Sequence, residues 1–186
     1  MSNKLIVSAS PHIRDCATTS TIMRDVLIAL APAMIAATLI FGFRAILMTA
    51  VCVLACIVFE YATERVLGRE NTISDLSAAV TGVILSFNLP VQLPIWMAVV
   101  GCFFAIVIVK QLFGGIGNNF ANPAITARIV LFLSFTTDMT YWADPTQGKV
   151  FSAADAVTSA TPLGIMNESG IADAQSQFSD LTMFLG

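Results

Sequence analysis

Residues 26–43 read VLIALAPAMIAATLIFGF and residues 45–58 read AILMTAVCVLACIV, two apolar blocks separated by Arg44. A third block at 93–109 is equally apolar. Crossing the roughly 30 Å hydrocarbon core of a bilayer takes about 20 helical residues, because each residue advances the helix by about 1.5 Å. None of the blocks alternates polar and apolar residues with period two, as the strands of a membrane β-barrel do. The blocks therefore predict membrane-spanning helices.

The composition also favours a membrane protein. Of the 186 residues, 56% are hydrophobic and 11% are charged, whereas an ordinary soluble domain carries about 25% charged residues. The formal net charge is -3 and the basic residues are scattered singly, so the chain lacks the basic patch by which proteins bind nucleic acid. We predict an all-α integral membrane protein that contacts the lipid bilayer and has no nucleic-acid partner.

Proline, glycine and charged residues divide the chain into about five transmembrane helices, one of them short or broken. The predicted helices are 23–43, 45–66, a third from Ser74 or Asp75 to about residue 89, 93–110, and a fifth from Asn122–Pro123 to about residue 135. The charged end of helix 2, which includes Glu60 and Glu64, is predicted to bring the chain back into water. At about 16 residues helix 3 is short for a span, and short segments in transporters are often broken or re-entrant.

These helices define three regions: a cytoplasmic N-terminal segment (1–24), a transmembrane bundle (25–137) and an extramembrane segment (138–186). If helix 3 crosses fully, seven of the nine basic residues lie on one side of the membrane. The positive-inside rule then places the N-terminus in the cytoplasm and 138–186 on the outer side. A re-entrant helix 3 would invert helices 4 and 5 and give a more even charge split, so the full crossing is favoured.

The residue types most often used in catalysis and metal binding give no constellation here. Cys52, Cys56 and Cys102 lie inside apolar blocks, where cysteine behaves as a small hydrophobic residue, so packing is favoured over metal binding. His12 precedes the first span and has no acid or nucleophile near it in sequence. We therefore predict no catalytic residue and no metal ligand in this chain.

The stretch DAVTSATPL at 155–163 carries the most specific motif. Spacing alone predicts that Thr161 caps a short helix that begins with Pro162. The stretch also resembles the flavinylation motif of the family that comprises RnfD of the Rnf complex and NqrB of the sodium-pumping NADH:quinone oxidoreductase. That motif has an aspartate, two variable residues, Ser or Thr, Gly or Ser, and Ala-Thr. Five residues match it in register, with a serine where glycine is commoner: Asp155, Thr158, Ser159, Ala160 and Thr161.

Three further stretches resemble the same family in the same order: SPHIR at 10–14, DLSAAVTGVILSFNLP at 75–90 and KQLFGGIGNNFANPAITAR at 110–128. The short tail before SPHIR is more similar to the Rnf protein than to its longer counterpart in the quinone oxidoreductase. Members of the family carry a second set of helices related to the first by an inverted repeat. The resemblance therefore implies that this chain is the first half of an inverted-repeat fold.

The resemblance implies a bacterial inner-membrane subunit of an ion-translocating ferredoxin:NAD oxidoreductase. Thr161 would carry FMN as a phosphoester, for electron transfer coupled to Na+ or H+ transport, and a second flavin such as riboflavin is compatible with it. Because a threonine hydroxyl is a weak nucleophile, a separate flavin transferase that uses FAD and a divalent metal would form the bond. The implied partners are the other subunits of the Rnf complex: the flavin-bearing RnfG, the membrane proteins RnfA and RnfE, and the soluble proteins RnfB and RnfC.

Three alternatives remain open at this stage. The chain could be NqrB of the Na+-translocating NADH:quinone oxidoreductase, which the same motifs fit. It could be a transporter without a redox role, which a short helix 3 would suit and which predicts no bound flavin. It could also be a structural scaffold in which Thr161 only caps a helix.

The glycine-rich loop GGIGNNFANP at 114–123 has a structural and a functional interpretation. As structure, it ends helix 4 and starts helix 5. As a site, Asn118, Asn119 and the backbone amides at the start of helix 5, together with Arg128, would hold a phosphate, a flavin edge or a quinone oxygen. An arginine at the centre of a span costs about 2.5 to 3.5 kcal/mol and is usually functional, but near a helix end it can extend to the headgroups. For Arg128, the ligand role and the headgroup role are equally supported by the sequence.

Overall fold

The structure is a computed structural model that describes residues 18–69 and 72–141. Within these ranges every regular element is helical, which confirms the all-α prediction. The helices are α1 Thr19–Phe41, α2 Phe43–Leu67, α3 Ser77–Phe87, α4 Ile95–Phe103 with a π-helical continuation Phe104–Gln111, α5 Pro123–Ser134 and the short α6 Thr136–Met139. A 3-10 turn, Ile73–Asp75, precedes α3. The N-terminal segment with His12 and the motif at 155–161 lie outside the described residues.

Two helices are long and apolar enough to cross a bilayer. The most apolar 18-residue windows of α1 and α2 have mean hydropathies of 1.8 and 2.3, and three shorter apolar helices follow them: Ser77–Phe87, Ile95–Gln111 and Pro123–Ser134. Large aliphatic side chains point outward, among them Ile28 at 64%, Leu54 at 63% and Leu133 at 75% exposure. So many large apolar side chains on the outside of the helices would favour association or aggregation in water, whereas hydrocarbon accommodates them. The chain is therefore a helical membrane protein.

The ends of α1 and α2 follow local rules. Gly42 joins the two helices with a φ of 78°, and Gly68 ends α2 in the left-handed conformation that glycine adopts readily, donating its N–H to Glu64 O. The beginning of α1 differs from the prediction, because Thr18 caps it through Thr21 N. The helix therefore begins at Thr19, inside the predicted segment 1–24. A threonine at the N-cap favours a helix start among polar residues.

Helix α3 starts later than predicted. Neither Ser74 nor Asp75 caps it; both lie in the 3-10 turn, and the N-cap position is Leu76, at a φ of 60°. The prediction was wrong because a capping residue was placed without allowing for this extra turn. With 11 residues, α3 is about 17 Å long.

Side-chain contacts near its two ends show in which direction α3 runs through the bundle. At its beginning Ser77 lies against Lys110, at the end of the π-helical segment. After its end, the connection to α4 is bound by Arg44 at the start of α2, with Nε 2.9 Å from Val91 O and Nη2 3.1 Å from Gln92 O. Consecutive helices α2, α3 and α4 therefore alternate in direction. The full crossing of helix 3 stays a prediction.

Small residues allow the helices to pack closely. A Cβ added to Gly82 of α3 would lie 2.7 Å from Val53 Cα in α2, so the two backbones touch at this point, as in other membrane bundles. Cys52, Cys56 and Cys102 are all fully buried in the same core cluster, and Cys102 Sγ lies 3.6 Å from Cys52 O. The cysteines occupy the packing positions for which they were predicted.

Candidate functional site

A group of buried polar side chains lies where α2, the start of α3 and the end of the π-helical segment meet. We call it the polar cluster. It comprises Glu60 and Glu64 of α2, Thr72, Ser77 of α3, and Lys110 and Gln111 of the π-helical segment. Thr72 is half-buried, and the other five residues are at most 5% exposed. Such a concentration of polar groups inside an apolar bundle is costly and is a functional-site hypothesis by default.

An ion pair joins α2 to the π-helical segment at the centre of the cluster. Lys110 Nζ lies 2.5 Å from Glu60 Oε1, and the two side chains are 2% and 0% exposed. Nζ also donates to Ser77 Oγ at 2.6 Å. Removing such a pair from water costs several kcal/mol per ion, so it is stable only where further hydrogen bonds satisfy the remaining atoms. Ser77 supplies one of these hydrogen bonds.

The second carboxylate is held by Thr72 and Gln111. The backbone N–H of Thr72 donates to Glu64 Oε1 at 3.2 Å and to Oε2 at 3.3 Å, and its hydroxyl contacts both Glu64 Oε1 and Glu60 Oε1. Gln111 Nε2 also reaches both carboxylates, at 3.3 Å from Glu60 Oε1 and 3.4 Å from Glu64 Oε1. The two acids therefore share donors and form one electrostatic unit.

One oxygen of this unit has no partner. Among the side-chain polar atoms buried in the described residues, Glu60 Oε2 makes no hydrogen bond. An unpaired buried acceptor costs about 1–3 kcal/mol, and more for a charged group. The cluster also contains two carboxylates and one ammonium group, so its formal charge is negative when all three are ionised.

Regular helix spacing brings the acids into the core. The buried face of α2 follows helical spacing, with four-residue intervals from Cys52 onward, and ends with the two acids: Ala45, Met48, Thr49, Cys52, Cys56, Glu60 and Glu64. Across from them, the π-helical segment buries Ala105, Ile106 and Val109 and ends with Lys110 and Gln111. π-helical turns are rare and frequently occur at functional sites.

The prediction that Glu60 and Glu64 bring the chain into water was wrong. It rested on counting charges near the end of an apolar block. A signal for burial was present in the spacing, because Cys52, Cys56, Glu60 and Glu64 lie on one face at intervals of four residues. No comparable pattern pointed to Thr72 or Ser77, which a turn and a helix start bring to the site.

Of the predicted site residues, Arg128 lies apart from the polar cluster. Its Nη1 donates to Asn88 Oδ1 at 3.1 Å, and Asn88 follows the last residue of α3, at the opposite end of that helix from Ser77. The amide of Asn88 is fixed in turn, because Nδ2 donates to Ile84 O at 2.8 Å. Arg128 therefore ties the middle of α5 to the end of α3, and its role as a ligand stays a prediction.

The loop asparagines have structural partners. With its amide nitrogen turned toward the end of α4, Asn119 donates to Val109 O at 3.2 Å and to Lys110 O at 3.3 Å. Asn118 is exposed, and its backbone N–H donates to Gly115 O. The loop thus closes the end of the helix that carries Lys110, and ligand binding by Asn118 and Asn119 stays a prediction.

The amides at the start of α5 are also engaged. Asn122 Oδ1 accepts from Ala124 N at 3.0 Å and Ile125 N at 3.3 Å, which confirms the predicted cap. An anion at this position would compete with the asparagine for both amides. The residues of the flavinylation motif (155, 158, 159, 160 and 161) lie outside the described residues, so their attachment role stays a prediction as well.

Comparison with known proteins gives a consistent family assignment. The model of the NQR2, RnfD, RnfE family matches residues 6–186. The chain is 43% identical over 182 residues to the D subunit of the Na(+)-translocating ferredoxin:NAD(+) oxidoreductase complex of Acetobacterium woodii, and the match covers 98% of this chain and 54% of that protein.

Two more relatives are also named as D subunits of ion-translocating oxidoreductase complexes. The D subunit of the proton-translocating ferredoxin:NAD(+) oxidoreductase complex of Clostridium ljungdahlii is 38% identical over 99% of this chain and 56% of its own length. The D subunit of the ion-translocating oxidoreductase complex of Shewanella denitrificans is 37% identical over 81% of this chain and 43% of its own length. The chain spans about half the length of the curated relatives it matches.

Proposed function

Because the chain belongs to the NQR2, RnfD, RnfE family, we propose that it acts within the D subunit of a membrane-bound, ion-translocating ferredoxin:NAD oxidoreductase. The observation that carries this proposal is the 43% identity, over 98% of the chain, to a relative so named. The helical bundle supports it, since its outward-facing aliphatic side chains suit a bilayer. The proposed location is the bacterial inner membrane, with a cytoplasmic N-terminus and residues 138–186 on the outer side.

We further propose that Thr161 carries FMN through a phosphoester bond. The support is the motif D-x-x-T-S-A-T, from Asp155 to Thr161, and its resemblance to the flavinylation site of the family. When bound, the flavin ring would supply one- and two-electron chemistry. The chain's own contribution is the anchor, because a covalent bond keeps the carrier at the membrane surface. The proposed partners are the other subunits of the complex and, during maturation, a flavin transferase.

Translocation of an ion requires polar groups within the bundle, and the polar cluster supplies them. Ionisable side chains inside membrane bundles often mark ion pathways and proton relays. Glu60 and Lys110 are both nearly or fully buried, on two different helices. The cluster is therefore the part of the described chain that best supports an ion-translocating role.

In-gel flavin fluorescence tests the attachment site. The protein is produced with its flavin transferase, denatured, separated by electrophoresis and viewed under ultraviolet light. Wild type and a matched control, Thr182→Ala, should fluoresce, whereas Thr161→Ala should not. Fluorescence that persists in Thr161→Ala would rule out this attachment point, and a dark wild-type band would favour the transporter or scaffold alternatives.

The reaction is tested in membrane vesicles that contain the complete complex. Ferredoxin-dependent reduction of NAD should be accompanied by uptake of Na+ or H+, and Thr161→Ala should lower both. Reduction of a quinone by NADH, with NADH as the electron donor in place of ferredoxin, would instead identify the quinone-oxidoreductase relative.

A further inference from the structure

A cavity of about 350 Å³ lies where α1, α2 and the end of α3 meet. We call it the interhelical cavity; its lining includes Ala37 of α1, Met48 and Thr49 of α2, and Ser86 of α3. We propose that the interhelical cavity binds one acyl chain of a membrane phospholipid, whose phosphate group lies on the guanidinium group of Arg44. This inference depends neither on a bound flavin nor on the proposed redox reaction.

The chemistry of the lining favours a hydrocarbon occupant. Apart from Thr49 and Ser86, all the residues that line the cavity are apolar. The two hydroxyl groups have partners within the protein, because their oxygens lie 3.0 Å apart and also bond to Ala45 O at 3.0 Å and Val83 O at 2.8 Å. Water is stable in a cavity only where several polar groups can bind it, and apolar cavities bind apolar molecules instead.

The size and position of the cavity suit an acyl chain. An apolar cavity of about 150 Å³ binds one benzene molecule, so a cavity more than twice as large has room for roughly a dozen carbon atoms. No residue of α1, which forms one wall, is buried, and the lining residues Ala33 and Phe41 are exposed. The cavity therefore opens to the outside of the bundle beside α1, where the bilayer supplies acyl chains.

Arg44 lies beside the cavity and supplies a site for the headgroup. It precedes Ala45, and its Nε donates to the carbonyl oxygen of Val91; both neighbours line the cavity. Nη2 donates to Gln92 O, and Nη1 makes no hydrogen bond within residues 18–69 and 72–141. Arg44 is exposed at the start of α2, as an arginine that extends to lipid headgroups would be. Because guanidinium groups bind phosphate through charge-assisted hydrogen bonds, the adjacent cation and cavity together match a phospholipid.

Photolabelling of the full-length protein, in lipid vesicles and in the assembly in which it is purified from membranes, tests the chain site. The vesicles contain a trace of phosphatidylglycerol with a diazirine in one acyl chain. Met48 is 3% exposed and Leu39 is 62% exposed, so lipid that merely surrounds the protein labels Leu39, whereas labelling of Met48 requires a chain in the cavity. Wild type should be labelled at both. Ala37→Phe, which fills the cavity, should abolish labelling of Met48 alone, and the matched control Ala36→Phe, at an exposed position of α1 outside the lining, should change neither.

A second probe tests the headgroup site in the same vesicles. A diacylglycerol with the same diazirine chain lacks the phosphate group. In wild type, labelling of Met48 relative to Leu39 should be about tenfold stronger with the phospholipid, the difference expected from a hydrogen bond to a charged group. Arg44→Gln should remove this preference, and Arg44→Lys, which keeps the positive charge, should retain most of it. No labelling of Met48 in wild type, labelling that persists in Ala37→Phe, or equal ratios for the two probes in wild type would each overturn the inference.

Discussion

Replacement of Lys110 by Met tests the energetic importance of the buried ion pair. Lys110 Nζ lies 2.5 Å from Glu60 Oε1. At an effective dielectric constant of about 20, two unit charges at that separation attract by about 7 kcal/mol. Burial of the two ions offsets much of this attraction. Removal of one partner leaves the other charge buried and unpaired, which costs about 3–5 kcal/mol. Methionine fills a similar volume, and packing changes should therefore contribute little.

Thermal unfolding of the purified protein in detergent measures the effect. A change of 1 kcal/mol shifts the midpoint by about 2–4 °C in a domain of 150–250 residues, so Lys110→Met should lower it by about 6–20 °C. The double variant Glu60→Met/Lys110→Met should recover part of this loss, because it removes the unpaired Glu60 carboxylate while Glu64 keeps its Thr72 and Gln111 donors. A Lys110→Met midpoint within about 2 °C of wild type, or a double variant less stable than either single variant, would refute the reasoning.

Two further predictions concern packing and the α3–α4 connection. Gly82→Ala should destabilise the bundle by about 1–3 kcal/mol, because its Cβ would lie 2.7 Å from the backbone atom Val53 Cα. Gly101→Ala should cost less, because its Cβ would meet only the side chains of Leu131 and Leu85, which can move. Equal unfolding midpoints for the two variants would contradict this. Arg44→Ala should raise amide hydrogen exchange within 88–94, because two carbonyl oxygens lose their donor, and exchange unchanged there would show that the connection is held by other contacts.

Much of the fold could be predicted from the sequence because membrane helices are encoded locally. The blocks that begin at Val26 and Ala45 are long and apolar, and they lie within α1 and α2. Gly42 separates these two helices, and Gly68 ends α2. The Asn122–Pro123 start of α5 was equally predictable, since cap and first residue are adjacent in the chain. Each of these features depends on neighbours within a few residues.

The polar cluster could not be predicted in this way, because it is built from distant parts of the chain. Lys110 and Glu60 are separated by 50 positions, and their contact depends on how α4 packs against α2. A lysine at the end of an apolar block looks like a residue at the membrane surface. Only the packing of the helices shows that Lys110 is 2% exposed and paired.

The start of α3 was a second feature that the sequence alone did not predict. Ser74 and Asp75 are both good capping residues, but the chain uses them in a 3-10 turn and begins the helix after Leu76. That turn places Ser77 beside Lys110. A hydrogen bond between distant parts of the chain thus forms at the start of α3, and local capping preference did not predict that this helix starts there.

Mass spectrometry of the peptide that contains Thr161 tests the central claim most directly. The protein is matured beside its flavin transferase, digested and fragmented. The peptide should be heavier by one FMN less one water, with the added mass on Thr161. A fully unmodified peptide, or the same added mass on Thr158, would contradict it.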